Sequence, residues 1–116
     1  MYILYGIKNC STVKKAVDWL EKHNVAFQFH DYKKEGISQE KLTSWTRQVA
    51  WESLVNRNGT TWRSLPDEEK VKVKNAGSAI ELMQEKTSII KRPLIEKEGK
   101  LVTLGFDELE FRKTYG

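Results

Sequence analysis

The chain reads as an α/β fold with a mixed central sheet: strand, helix and strand, then a helical insert, then two strands and a closing helix. Three observations predict it. A short apolar run at the start is followed by helical and then alternating periodicity. A long middle stretch carries only helical spacing. Two short strand-like runs flank a glycine turn near the end.

At 116 residues the chain has material for one core, so residues 1–116 are expected to form a single domain. Tyr2 to Tyr5 is nearly continuous in apolar character and stops at Gly6, as a strand buried on both faces does. After Ile7-Lys8-Asn9-Cys10, Ser11 or Thr12 is placed to cap a helix whose Val13, Ala16, Val17 and Leu20 recur at helical spacing. Asn24 closes that helix, and in Ala26 to Asp31 the phenylalanines at 27 and 29 alternate with Gln28 and His30. Strand, helix and strand in this order form a right-handed parallel unit.

From about 33 to 88 the spacing is helical. Leu42, Trp45 and Val49 share one face, Trp51 to Val55 reads as a short helix, and Pro66 opens another. Asn58-Gly59-Thr60-Thr61 reads as a turn feeding Trp62, and Ala79, Leu82 and Met83 recur helically after Gly77-Ser78. Pro93 to Lys97 and Leu101 to Leu104 then flank the turn Glu98-Gly99-Lys100, and Phe106 to Tyr115 closes as a helix with Phe106 and Leu109 inward.

Composition excludes several functions. Hydrophobic residues at 39% and charged residues at 31% describe a folded globule, and a net charge of +4 spread among acidic residues forms no nucleic-acid-binding block. The isolated glycines make no phosphate loop or dinucleotide fingerprint, and His23 and His30 have no partners at ligand spacing, so no metal and no tightly bound cofactor are expected. No run approaches the eighteen or so apolar residues of a membrane span, and Met1 to Tyr5 lacks a charged leader. With one cysteine and hence no internal disulfide, a reducing, cytoplasmic setting is expected.

That cysteine, Cys10, stands where a strand ends and a helix begins. There unpaired N–H groups and the helix dipole favour a thiolate and an anion brought against it. By residue type alone, Cys10 is either a small packed hydrophobe or a reagent. Lys91-Arg92-Pro93, ahead of the first hairpin strand, marks a place where an X-Pro bond can be cis and where Arg92 can face an anion beside the helix.

Three motifs in this order carry a resemblance: Tyr5-Gly6-Ile7-Lys8-Asn9-Cys10-Ser11-Thr12-Val13-Lys14-Lys15-Ala16, Asn58-Gly59-Thr60-Thr61-Trp62-Arg63, and Ile90-Lys91-Arg92-Pro93-Leu94. Across essentially the whole chain they resemble the arsenate reductase (ArsC)-like family, more closely its YffB and Spx branch. The resemblance implies a thioredoxin-like fold with a helical insert, Cys10 as nucleophile, Pro93 in the cis form and Arg92 as anion partner. It carries a second arginine onto Arg57, with Arg63 as the alternative. The third arginine of the family's oxyanion cage has no counterpart in Thr103-Leu104-Gly105-Phe106, and its upstream histidine is absent, which leaves Lys8 or Lys14 as substitutes.

The leading expectation is therefore a glutathione-dependent thiol reductase working with one thiol. Cys10 and Arg92 are catalytic, and Lys8, Asn9, Ser11, Thr12, Arg57 and Pro93 bind substrate or glutathione. Glutathione is the co-substrate, a disulfide or oxyanion the substrate, glutaredoxin a further partner, and a monomer the expected state. Two alternatives stand beside it. One is weak arsenate reduction; the other is an Spx-like regulator that binds RNA polymerase, though Val13 stands where such members often carry a second cysteine.

Overall fold

The computed structural model describes residues 1–116. In chain order the elements are β1 (Tyr2–Gly6), α1 (Ser11–Lys22), β2 (Phe27–Asp31), α2 (Tyr32–Glu35), α3 (Gln39–Gln48), α4 (Trp51–Leu54), α5 (Thr60–Arg63), α6 (Asp67–Lys70), α7 (Ala76–Glu85), a 3₁₀ turn (Thr87–Ile89), β3 (Leu94–Lys97), β4 (Lys100–Leu104) and α8 (Glu108–Tyr115). They fall into two compact units: Met1–Glu35 with Arg92–Gly116, and Gly36–Lys91. The expected α/β architecture with a mixed sheet is present.

The first unit is built on a four-stranded sheet in the order β2-β1-β3-β4. β1 runs parallel to β2 and antiparallel to β3, and β3 and β4 form an antiparallel hairpin. The apolar run of β1 is explained by its central place, which leaves Leu4 and Tyr5 buried on opposite sides. Leu4 and its cross-strand partner Ile95 face the helices, where Val13, Ala16, Trp19 and Leu20 of α1 and Phe111 of α8 complete one core cluster. Burying side chains of this size contributes about 1.5–3 kcal/mol each, so the stripe along α1 is a main source of the unit's stability.

Local signals set where these elements begin and end. α1 stops in a Schellman motif: Asn24 takes the left-handed φ of 58°, its N–H donates to Glu21 O, and Val25 N–H donates to Leu20 O. α1 begins one residue earlier than a Ser11 or Thr12 cap requires. Cys10 itself is the N-cap residue, extended at φ −123° and ψ 122°, and no side chain caps the helix. α8 corrects a second expectation. Asp107 caps it by accepting from Leu109 N and Glu110 N, which puts Leu109 in the first turn at 65% exposure and turns Phe111 into the core. Phe106 packs on Phe111 with ring centroids 4.8 Å apart, as an inward residue should.

The hairpin is tighter than a three-residue turn. Lys97 pairs with Lys100, so only Glu98 and Gly99 lie between the strands, and both have positive φ, 52° and 82°. Two consecutive left-handed residues are what a type I′ turn demands.

The second unit is helical. α3 packs on α4 and α7, and the 3₁₀ turn packs on α5 and α7. Leu42, Trp45, Leu54, Ala79, Met83 and Ile89 are buried within this segment. Ser38 caps α3 by accepting from Lys41 N, and Asn75 and Ser78 form a reciprocal capping box on α7. The turn falls on Arg57 and Asn58, closed by Gly59 N–H donating to Asn56 O, and Gly59 is the N-cap residue of α5, so Thr60, Thr61 and Trp62 sit on a helix. An isolated antiparallel bridge joins Val55 to Ile90, flanked by Asn56 N–H donating to Ile89 O and Lys91 N–H donating to Leu54 O. No helix is long and apolar enough to cross a membrane.

Two stability predictions follow from close backbone geometry. A Cβ on Gly6 would lie 2.9 Å from Val13 Cγ2 and 3.1 Å from Cγ1, and valine has little rotamer freedom with which to yield. Gly6→Ala is expected to cost about 1–3 kcal/mol in urea unfolding; an unchanged midpoint would show that α1 can slide on β1. Replacing Glu98 by Asn, which tolerates the left-handed region, should relieve about 1 kcal/mol of strain and raise the urea midpoint. A lower midpoint would contradict this account of the turn.

Candidate active site around Cys10

β1 ends at Gly6, and the chain turns through exposed Lys8 and Asn9 before reaching Cys10. The extended backbone of Cys10 lets its carbonyl accept the first helical bond, from Lys14 N, at 3.0 Å. Its side chain therefore stands at the mouth of α1, half-buried, where the N–H groups of the first turn have no helical acceptor.

Those donors act on the sulfur. Partial burial pushes the thiol pKa up, but the Val13 N–H, the hydrogen bond and charge of Arg92, and the Thr12 N–H together outweigh it and hold the thiol below its ordinary value. Arg92 is delivered by the chain just ahead of β3, and the Arg92–Pro93 peptide is cis. Pro93 is buried, and its carbonyl accepts from Gly105 N at 2.8 Å, which ties the lead-in of β3 to the end of β4.

The structure thus brings together Cys10, Thr12, Arg92 and Pro93 within the first unit, with Lys8, Asn9 and Ser11 exposed on the same loop and first helical turn. Beside Lys8, a cavity of ≈ 480 Å³ opens between α1 and β2, lined by Val13, Val17, Phe27 and Phe29.

Arg57 belongs to the second unit. Its guanidinium carbon lies 5.5 Å from the Trp51 ring centroid and 5.6 Å from that of Trp62, so two indole faces hold one exposed cation. Asn56, Asn58 and Lys91 line a cavity of ≈ 350 Å³ with it. Trp51 and Trp62 thus have a specific task that their spacing does not disclose, since the pairing depends on the turn at Arg57-Asn58 folding α5 back.

A second group of residues is not apparent from motif spacing. On the sheet face opposite α1, Tyr5 Oη donates to Glu96 Oε1 at 2.5 Å, and Glu96 is only 1% exposed. Tyr32 stacks near Tyr5 with centroids 6.1 Å apart, and its buried hydroxyl has no hydrogen-bond partner. The His30 ring lies 4.7 Å from that of Tyr5. Burial raises the Tyr5 hydroxyl above its usual range, and the bond to Glu96 and the carboxylate charge raise it further. Burial likewise raises Tyr32; the charges of Tyr5 and Glu96 act in the same direction, and that of Arg92 against them. A carboxylate inside Leu94-Ile95-Glu96-Lys97 was the available sequence signal, because a glutamate in a buried strand needs a partner.

Comparison with known proteins places the chain in a family. The model of the ArsC family matches residues 5–114. A solved structure named YFFB (PA3664) protein superposes with a TM-score of 0.92 at 42% identity, covering 100% of both chains. An arsenate reductase (ArsC) related protein from Brucella melitensis is 46% identical, with a TM-score of 0.78, over 98% of this chain and 93% of that one. The global transcriptional regulator Spx of Streptococcus agalactiae serotype V is 30% identical over 97% of this chain and 81% of its own length. The chain has the thioredoxin-like fold of these arsenate reductase-related structures, and it belongs to the ArsC family.

Proposed function

We propose that this protein is a cytoplasmic thiol-transfer oxidoreductase in which Cys10 is the nucleophile and glutathione the co-substrate. The observation that carries the reading is the Arg92 hydrogen bond to a cysteine at the N-cap of α1, where helix donors and a guanidinium together favour the thiolate.

In the reaction, the Cys10 thiolate attacks the glutathione sulfur of a glutathione mixed disulfide. A new S–S bond forms, the old one breaks, and the leaving thiolate takes a proton from solvent. The chain has one cysteine, so resolution falls to an external thiol. A glutathione thiolate attacks the glutathione sulfur of the Cys10 adduct, releasing Cys10 as thiolate and glutathione disulfide as product. The net exchange consumes one free glutathione: the mixed disulfide and glutathione become the free substrate thiol and glutathione disulfide. In this reading the helix N–H groups and Arg92 hold the developing negative charge on sulfur. Lys8 and the polar atoms of Asn9, Ser11 and Thr12 hold glutathione carboxylates and peptide groups, aligned by the Pro93 backbone, and Arg57 is a further candidate for binding glutathione. Glutaredoxin is a candidate electron donor to the adduct, and the protein acts as a monomer.

Arsenate is a weaker substrate in this reading, because Thr103-Leu104-Gly105-Phe106 supplies no cation after the last strand. A second reading, a regulator that docks on RNA polymerase, is favoured by the similarity to Spx. Binding of purified polymerase that is retained by Cys10→Ser would support it.

Cys10→Ser should abolish reduction of a glutathione mixed disulfide, followed by release of glutathione disulfide; retained wild-type turnover would return Cys10 to a packing role. Arg92→Gln should raise the midpoint of the pH profile for iodoacetamide alkylation of Cys10 by about one unit or more, the usual effect of losing an adjacent opposite charge. Cys10 alkylating only around the free-thiol value of about 8.5 in the wild type would sink the mechanism.

A further inference from the structure

The groove between α1 and β2 has no role in the reaction as described above. It follows from the sheet order: β2 is an edge strand, with β1 as its neighbour on one side only. Phe27 and Phe29 lie opposite Tyr2 and Leu4 of β1, which puts both phenylalanines on the helical face. Val13, Ala16 and Leu20 of α1 are buried over the core, whereas Val17, like Phe27 and Phe29, is only half-buried. Those three side chains and Val13 form the apolar floor of an open cavity of ≈ 480 Å³, within the ~300–1,000 Å³ of sites that enclose an organic ligand.

The rim is charged, and its charges are ordered. Lys8 lies at the end next to Cys10, two residues ahead of it in the chain, and Glu21 lies at the other end, in the last turn of α1. Between them Lys14 and Asp18 pair with each other at 3.4 Å. Lys8 and Glu21 form no ion pair, so the groove offers an unmatched cation near the thiol and an unmatched carboxylate at its far end.

A glutathione mixed disulfide brings two unlike halves to Cys10. Glutathione is anionic and has no large apolar group, so it suits Lys8 and leaves the apolar floor bare. What the floor and Glu21 select has to come from the other half. α1 rises about 1.5 Å per residue, so Val17 stands about 10 Å from the helix mouth, a span that about three residues of extended peptide cover.

We propose that this groove is the subsite for the protein half of the mixed disulfide: it takes a large apolar side chain about three residues from the glutathionylated cysteine, with a lysine or arginine beyond it against Glu21. The proposal rests on the reading of Cys10 as the nucleophile of thiol transfer, and it narrows the substrates from mixed disulfides in general to those of polypeptides with this pattern. Contacts made in the groove hold the disulfide over Cys10, so their effect is read in kcat/KM.

The test uses the full-length chain and synthetic peptides with one glutathionylated cysteine. The first has phenylalanine three residues from the cysteine on both sides and arginine beyond each. The second has serine for the phenylalanines, and the third has glutamate for the arginines. In the wild type, kcat/KM for deglutathionylation is expected to be at least about tenfold higher for the first peptide than for the second. It should be about twofold or more higher for the first than for the third, the size of an exposed ion pair. Val17→Gln makes the floor polar and should cut the phenylalanine preference by about threefold or more. Reduction of the mixed disulfide of glutathione with free cysteine, which has no group for the groove, should stay unchanged. Glu21→Lys, at an exposed position, should reverse the order of the first and third peptides.

Equal kcat/KM for the phenylalanine and serine peptides in the wild type overturns the proposal. So does a phenylalanine preference that survives Val17→Gln in full. An arginine preference that persists in Glu21→Lys overturns it even where Val17→Gln fails to fold. A wild-type dimer that Val17→Gln breaks gives the groove to a second copy of the chain and overturns it as well. A wild-type chain that turns over none of these disulfides defeats the thiol-transfer reading instead. Calorimetry with the same peptides then decides the groove: tighter binding of the phenylalanine peptide supports it as an apolar subsite, and equal binding overturns it.

Discussion

Everything described around Cys10 depends on the antiparallel pairing of β1 with β3. Tyr5 lies opposite Leu94, so the end of β1 and the start of β3 meet at one edge of the sheet although they are some ninety residues apart in the chain. The loop that leaves β1 carries Cys10, and the segment that enters β3 carries Arg92. A parallel pairing would put them at opposite ends. The same register sends Leu4 and Ile95 to the helical face and Tyr5 and Glu96 to the other, so one alignment sets both the core and the polar group behind the site.

The site is assembled from backbone as much as from side chains. Gly6 lets Val13 approach the strand, and this packing fixes where α1 begins relative to the sheet. Because no side chain caps α1, its first N–H groups are available to sulfur. A serine or aspartate at position 10 would compete for those donors. The cysteine therefore occupies the cap position, where its weak hydrogen-bonding capacity leaves the helix end open.

Much of this was legible in the residues. The continuous run Tyr2 to Tyr5, the spacing of Val13, Ala16 and Leu20, and the glycine turn after Lys97 predicted the sheet and its main helix, and three motifs predicted the family. What escaped was set by tertiary register. Leu109 and Phe111 both fit a helical stripe, and only the Asp107 cap decides which faces inward. Ser11 and Thr12 are good capping residues by type, yet the helix already starts at Ser11, so the cap position falls on Cys10. Tyr5 looked like one more apolar residue, because its hydroxyl acquires meaning only when β3 brings Glu96 beside it. The Trp51, Arg57 and Trp62 stack likewise needs α4 and α5 folded together.

The same central pairing has a consequence for synthesis on the ribosome. β1, α1 and β2 leave the tunnel early, but β1 sits in the middle of the finished sheet and its second neighbour, β3, lies about sixty residues beyond β2. At translation rates of roughly 5–20 residues per second, the nascent chain carries an unpaired apolar strand edge for roughly 3–12 s. During that interval the edge is open to any extended segment, so protection of the newborn chain is a problem of timing, set by where the fold places its third strand.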